Sequence, residues 1–162
     1  MKYVLQHLIS LILPVTVLII VPWSIDRHLV FAAGLPLLVG SALMLVGLFV
    51  MAQTILTFIR IGRGTLAPWS PTCRLIVGGV YAYVRNPMIL GVITVLVGES
   101  LALSSVPILI WAALVFVINT VYFIFSEEPG LEKRFEDEYR EYKKNVPRWI
   151  PRSKPWRPTA VG

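Results

Sequence analysis

The sequence predicts an all-α, polytopic membrane protein with about four transmembrane helices and a C-terminal amphipathic helix. Three observations carry that prediction. The 162 residues are 56% hydrophobic and only 15% charged, with a mean hydropathy of +0.73, far more apolar than an ordinary soluble domain. Uncharged runs near or above the roughly 20 residues needed to cross a hydrocarbon core recur along the chain. After the last of them, apolar residues recur at helical spacing with charges between them.

The first span is expected over residues 4–21, eighteen positions without a charge. It follows Lys2 as an export signal would, but Pro22-Trp23-Ser24-Ile25-Asp26 offers no small-x-small cleavage site, so it reads as an uncleaved helix. The second run, 31–59, holds twenty-nine uncharged residues. That exceeds a perpendicular crossing and implies tilt or extension into the interface. The third, 88–103, is shorter and contains Glu99. A carboxylate at mid-bilayer costs roughly 2.5–3.5 kcal/mol, so Glu99 is expected near the outer end of its helix, paired or shallow rather than catalytic. Ser104–Ser105 form a tight turn into the fourth span, 106–125.

Beyond that span, Leu131, Phe135, Tyr139, Tyr142 and Val146 recur at intervals of four, four, three and four, with charged residues between them. This is an amphipathic helix. Pro129 is tolerated in its first turn, and Glu127–Glu128 favour its positive end. The proline-punctuated, basic "PRWIPRSKPWRP", residues 147–158, is expected to be an interfacial tail rather than a folded element.

Charge location sets the orientation. Residues 60–87 carry four arginines and no acid, and the chain from Glu127 onward carries nine basic and seven acidic residues. Asp26 and Arg27 cancel, and the Ser104–Ser105 turn is neutral. Four spans then put both termini and the arginine-rich segment in the cytoplasm, in agreement with the positive-inside rule. The net charge of +6 is accounted for by this topology and by attraction to anionic lipid, without a nucleic-acid partner. A single cysteine, Cys73, and two isolated histidines, His7 and His28, give no disulfide and no metal-ligand spacing.

Residues 60–75, "RIGRGTLAPWSPTCRL", are too rich in glycine and proline for a regular helix. Their Gly62-Arg63-Gly64-Thr65 matches neither the phosphate-binding loop nor the dinucleotide fingerprint. "YVRNPMILG", 83–91, places polar, backbone-restricting residues at the mouth of an apolar run. Pro87 drives Asn86 out of the helical region and can open a helix itself, so the box offers donors at a positive helix end.

"GGVYAYVRNPMILG" (78–91), followed about forty residues later by "EEPGLEKRFEDEYREYKKNVPRWIP" (127–151), resembles the isoprenylcysteine carboxyl methyltransferase family of integral membrane enzymes. Gly79, Tyr81, Arg85, Pro87, Gly91, Glu127, Glu128, Leu131, Phe135, Tyr139, Tyr142, Arg148 and Pro151 fall in register with its motifs. The resemblance implies a single membrane methyltransferase domain over 1–162, with S-adenosylmethionine enclosed between the cytoplasmic segment 60–87 and the C-terminal segment 127–151. It carries the cofactor-binding role to Leu75, Ile76, Tyr81, Arg85, Asn86, Pro87, Met88, Ile89, Glu127 and Glu128. It implies a lipophilic acceptor, membrane lipid as surroundings and a bacterial inner-membrane location. No catalytic base is assigned.

Three departures bear on the chemistry. Asn86 stands where the family has histidine, a variant shared with bacterial members, and it cannot titrate near neutral pH. Ile89 replaces a tyrosine and loses its hydroxyl. Phe123 stands where eukaryotic members have an arginine four residues before the glutamate, so the clamp for a prenylcysteine carboxylate is missing. Three functions remain open: carboxyl methylation of an isoprenylcysteine-like acceptor, N-methylation of a phospholipid amine, and a non-catalytic membrane adaptor. The topology has a direct check. With Cys73 replaced, a cysteine at Ser70 should resist an impermeant thiol reagent applied to intact cells; labelling from outside would invert the orientation.

Overall fold

The computed structural model describes residues 12–27, 30–58, 60 and 75–158. Residues 4–11 of the expected first span, most of the arginine-rich segment (61–74), Cys73 and both histidines lie outside the described residues. The described chain is helical and contains no strand. Helix α1 covers Ile12–Ile25, α2 Leu35–Thr57, α3 Pro87–Ala102 and α4 Val106–Tyr122. The last continues through a π-helical segment, Phe123–Glu127, into α5, Glu128–Asn145. A 3-10 turn, Gly79–Ala82, precedes α3.

Each start has a local cause. Gly34, at φ 68°, turns the chain into α2. The run expected from residue 31 therefore begins as non-helical backbone, with Ala32 N–H donating to Ala102 O at 2.9 Å. Pro87 occupies the first turn of α3, where a missing N–H costs nothing. Ser105 caps α4 by accepting from Ile108 N–H and donates its hydroxyl to Asp26 Oδ2. These contacts gather the α1–α2 and α3–α4 connections at one end of the bundle.

Two π segments, Thr16–Ile20 and Phe123–Glu127, end two residues before a proline, Pro22 and Pro129. Proline cannot donate, and its ring crowds the preceding turn. Wider i→i+5 bonding accommodates it. In the first case Val21 N–H bonds Thr16 O, so Val17 O would await residue 22. Pro22 has nothing to give, and Trp111 Nε1 of α4 donates there instead at 3.0 Å.

Helices α2 and α3 make the closest contact. A Cβ built on Gly40 would lie 2.6 Å from Gly98 O, and one on Gly47 would lie 2.7 Å from Gly91 O. Gly91 and Gly98 meet α2 reciprocally, so the antiparallel backbones touch without side chains between them, as small residues permit in apolar surroundings. The other faces carry exposed apolar side chains, among them Leu45, Phe49, Ile110, Ile118 and Phe125. Surfaces apolar on so many sides suit lipid rather than water.

Among the described residues, two helices are long and apolar enough to cross a membrane: α2 and the continuous α4–α5 helix. The expected count of four is not reached on length. At 1.5 Å per residue, the 16 residues of α3 extend only about 24 Å, and α1 is described only from Ile12. The amphipathic helix forms, with Tyr139, Tyr142 and Val146 buried against Leu131 and Phe135, but it breaks at Glu136, which has φ 42°. The expected free tail is instead folded. Its backbone bonds back to the segment before α3: Arg85 N–H to Pro147 O, Arg152 N–H to Tyr83 O and Trp156 N–H to Ala82 O, at 2.9–3.0 Å. Prolines remove donors from the tail, but Arg152 and Trp156 between them donate two of these bonds and Pro147 accepts the third through its carbonyl.

Helix contact through glycine has a measurable consequence. Gly98→Ala drives a methyl to 2.6 Å from Gly40 O and 2.8 Å from Met44 N, and should lower stability by about 1–3 kcal/mol. Gly130→Ala, with nothing within 4 Å of the new carbon, should leave stability unchanged or raised. Thermal unfolding in detergent compares the two.

Candidate functional site

The end of the bundle opposite the Asp26–Ser105 contact holds a cleft with about 550 Å³ of empty space, partly open to solvent. It draws on several separate segments of the described chain. Phe58 comes from just beyond α2, Leu75 and Ile76 from the approach to the 3-10 turn, and Tyr81 from the turn itself. Arg85 and Asn86 precede α3; Phe123, Glu127 and Glu128 flank the α4–α5 junction. Leu131, Phe135, Tyr139 and Tyr142 of α5 close the remaining side.

Local backbone explains how these side chains converge. Gly79, at φ 60°, lies against α2 so tightly that a Cβ would sit 2.8 Å from Thr57 Oγ1. Only glycine suits both the conformation and the approach. The turn then sets Tyr81 edge-on to Phe58, with ring centroids 5.8 Å apart, while Tyr142 Oη donates to Tyr81 O at 2.8 Å. The π segment does comparable work at the junction. In a regular α-helix Glu128 would lie about 140° around the axis from Phe123. Its N–H bonds Phe123 O across five residues, which turns Glu128 toward the face shared by Phe123 and Glu127.

The two adjacent acids have opposite environments. Glu128 is 4% exposed and accepts from Arg85 Nη1 at 2.8 Å and Arg148 Nε at 2.6 Å, both on Oε1, with Lys143 Nζ 3.3 Å from Oε2. Burial pushes its carboxyl up, but the Arg148 hydrogen bond and the charges of Arg85 and Arg148 outweigh that and hold it below the usual carboxylate range. Glu127 has no hydrogen bond or ion pair among the described residues. Burial, followed by the neighbouring Glu128 charge, raises it to about 7, and Arg134 only partly offsets them. Burial first, then Tyr142 and Glu127, keeps the Tyr81 phenol protonated. Tyr139 is raised to about 12, first by burial and then by Glu128.

Two donors at the cleft have no partner among the described residues: the buried Arg85 Nε and Asn86 Nδ2. Asn86 is the N-cap of α3, but its side chain makes no capping bond. Its donor is therefore left over. A buried unpaired donor costs about 1–3 kcal/mol, so an acceptor from beyond the described residues would stabilise both.

Of the residues singled out in the sequence, Leu75, Ile76, Tyr81, Arg85, Asn86, Glu127 and Glu128 line the cleft. Pro87, Met88 and Ile89 do not. Pro87 is buried at the helix start, and Met88 packs on the core around Leu96 and Val92. Sequence reasoning did not assign Phe58, Leu131, Phe135, Tyr139 or Tyr142 to the site. The α5 residues carry a signal in their 4-4-3-4 stripe and their motif register, but the stripe by itself indicates only an amphipathic helix. Phe58 had none inside a uniformly apolar run. Arg148 and Trp149, inside the expected enclosing segment 127–151 but given no individual role from sequence, act at the edge of the cleft: Arg148 reaches Glu128, and Trp149 stacks against Phe116 and Phe123 at 5.0 and 5.7 Å.

Residues 35–138, about two thirds of the chain, match the model of a family described as phospholipid methyltransferase. That stretch runs from the start of α2 into α5 and includes both acids and the Arg85–Asn86 pair. No curated protein and no solved structure matches the chain.

The two carboxyls predict opposite pH behaviour. Glu127, raised from 4.5 to about 7, weakens the folded state progressively as pH climbs through that window, because the unfolded chain releases its proton first. Glu127→Gln should therefore raise the melting temperature in detergent by an amount that grows between pH 4.5 and 7 and then levels off. Glu128, held low, stabilises above its unfolded value and loses that contribution as pH falls through its folded one. Glu128→Gln should thus be destabilising at neutral pH, with the deficit shrinking in acid.

Proposed function

The chain belongs to the phospholipid methyltransferase family, and on that premise we propose that it transfers a methyl group from S-adenosylmethionine to a lipophilic acceptor drawn from the membrane. The observation that carries this reading is the juxtaposition of groups in one cleft: Arg85 Nε and Asn86 Nδ2, buried donors without a partner among the described residues, and the Glu127 carboxylate, which makes no hydrogen bond or ion pair with those residues. The cofactor's amino-acid carboxylate complements the donors. Its ammonium and ribose hydroxyls complement Glu127. When bound, it supplies an electrophilic methyl on a sulfonium, and this chemistry calls for no metal.

The protein's own residues provide position and dryness. Arg85 and Asn86 hold an anionic group at the α3 N-terminus, Glu127 holds the opposite polarity, and Phe58, Tyr81, Phe123 and Phe135 narrow the space between. Excluding water and holding the acceptor at roughly 3–3.5 Å in line accounts for most of the rate such a site must supply. The reading places four helices across the bilayer, with α1 and α3 as short or thinned spans, and puts the cleft and both termini on the cytoplasmic side.

The resemblance to isoprenylcysteine carboxyl methyltransferases would make the acceptor a carboxylate; one observation favours the amine. Phe123 lines the cleft where a carboxylate-clamping arginine would be needed. Aromatic faces around it are suited to an ammonium group, and the free acid nearby is Glu127. A phospholipid amine is therefore the acceptor this reading prefers: its ammonium gives a proton to water first, the freed nitrogen lone pair then takes the methyl, and the S–CH3 bonding pair stays on the departing thioether.

Purified protein incubated with methyl-labelled cofactor and total membrane lipid should yield label on lipid nitrogen. Base-labile ester label would select the carboxylate acceptor. A folded sample that neither binds the cofactor nor transfers label would make the chain a non-catalytic adaptor. Glu127→Gln should weaken cofactor binding about 10- to 150-fold at pH 8, the range of a hydrogen bond to a charged group. Glu99→Gln, at the far end of α3, should leave it unchanged. Equal affinity in both variants would remove Glu127 from the site.

A further inference from the structure

Glu128 and Glu127 are adjacent acids on one cleft, and by residue type either could contact a ligand. Their surroundings separate them. Glu128 is already engaged on both oxygens, by Arg85 and Arg148 on Oε1 and by Lys143 on Oε2. Arg85 is held at three points: its backbone N–H donates to Pro147 O at 2.9 Å, and Nη1 donates to Glu128 at 2.8 Å and to Tyr139 Oη at 3.4 Å. Its side chain is 10% exposed, yet Nε has no partner among the described residues. Arg85, Arg148 and Lys143 gather around the single Glu128 carboxylate, and Lys143 is shared with Glu132 at 3.7 Å, so the two guanidiniums outweigh their one acid and leave positive charge for a further anion.

We propose that Glu128 takes no ligand itself but is a positioning residue: it fixes Arg85 by Nη1 so that Nε, together with Asn86 Nδ2, forms a subsite for the amino-acid carboxylate of the cofactor. This deepens the methyltransferase reading and rests on it. A planar guanidinium clamped at one edge presents its remaining N–H in a defined direction, which a lysine ammonium does not reproduce. Asn86, lying outside the capping geometry, supplies the second donor from the start of α3. Arg148 enters from the tail and shares Glu128, so the subsite is complete only when residues 146–158 are docked.

The test compares S-adenosylhomocysteine with its decarboxylated form, which keeps the adenosine, the thioether and the amine. The parent should prefer the carboxylate-bearing ligand. Glu128→Gln should reduce that preference about tenfold or more, through weaker binding of S-adenosylhomocysteine alone, and Glu128→Asp should restore part of it. Arg85→Lys retains a cation for Glu128 but lacks Nε, and should lose the preference equally; it carries the test alone if Glu128→Gln does not fold. Parallel loss of both ligands in Glu128→Gln would reduce Glu128 to a purely structural role. Unchanged selectivity in Arg85→Lys would overturn the subsite. A parent that binds both ligands equally would sink this inference while leaving the methyltransferase reading intact, and one that binds neither would sink both.

Discussion

One buried carboxylate holds four parts of the chain in register. Glu128 sits at the α4–α5 junction and draws in Arg85 from before α3, Lys143 from late in α5 and Arg148 from the tail. An ion pair so buried need not stabilise the fold more than apolar residues of the same shape would, but removing one partner leaves charge stranded, at a cost of about 3–5 kcal/mol. Its effect is thus on geometry more than on net stability. The three backbone bonds between the tail and residues 82–85 run beside the cluster and give it a fixed floor.

The glycine contact of α2 and α3 is the complement to this polar anchor. Between helices surrounded by lipid, burial of apolar surface contributes little, and close packing of backbones must supply the attraction. Gly40, Gly47, Gly91 and Gly98 permit it, and the result is a stiff pair. The far end of α2 then meets Gly79 through Thr57, so the pair also sets the height of the turn that carries Tyr81. Packing in the apolar half and charge in the polar half converge on one cleft.

Much of the site was legible because polar residues at the edge of an apolar run must answer to something. Arg85, Asn86 and Glu127 stood out on that ground, and the cleft contains all three. Helix existence was also legible; the start of α2 moved where Gly34 overrode the apolar pattern, whereas Pro87 opens α3 as its position in the sequence implies. The difference between Glu127 and Glu128 was not legible, since two adjacent acids differ only in which way the π segment turns them. The tail was misread because proline, arginine and tryptophan without periodicity look the same whether solvated or docked. The seven-residue spacing of Gly40–Gly47 and of Gly91–Gly98 was present in the sequence and could have marked the α2–α3 contact.

The docked tail also bears on biogenesis. Synthesis runs from the N-terminus, so Arg85 and Asn86 enter the membrane surface well before Glu128 exists to receive them, and Arg148 is made later still. Until residues 146–158 leave the ribosome and settle against 82–85, the polar box has only headgroups and water as company. A nascent chain can therefore insert its helices without a finished cleft, and a stretch translated after all of those helices is the one that closes it.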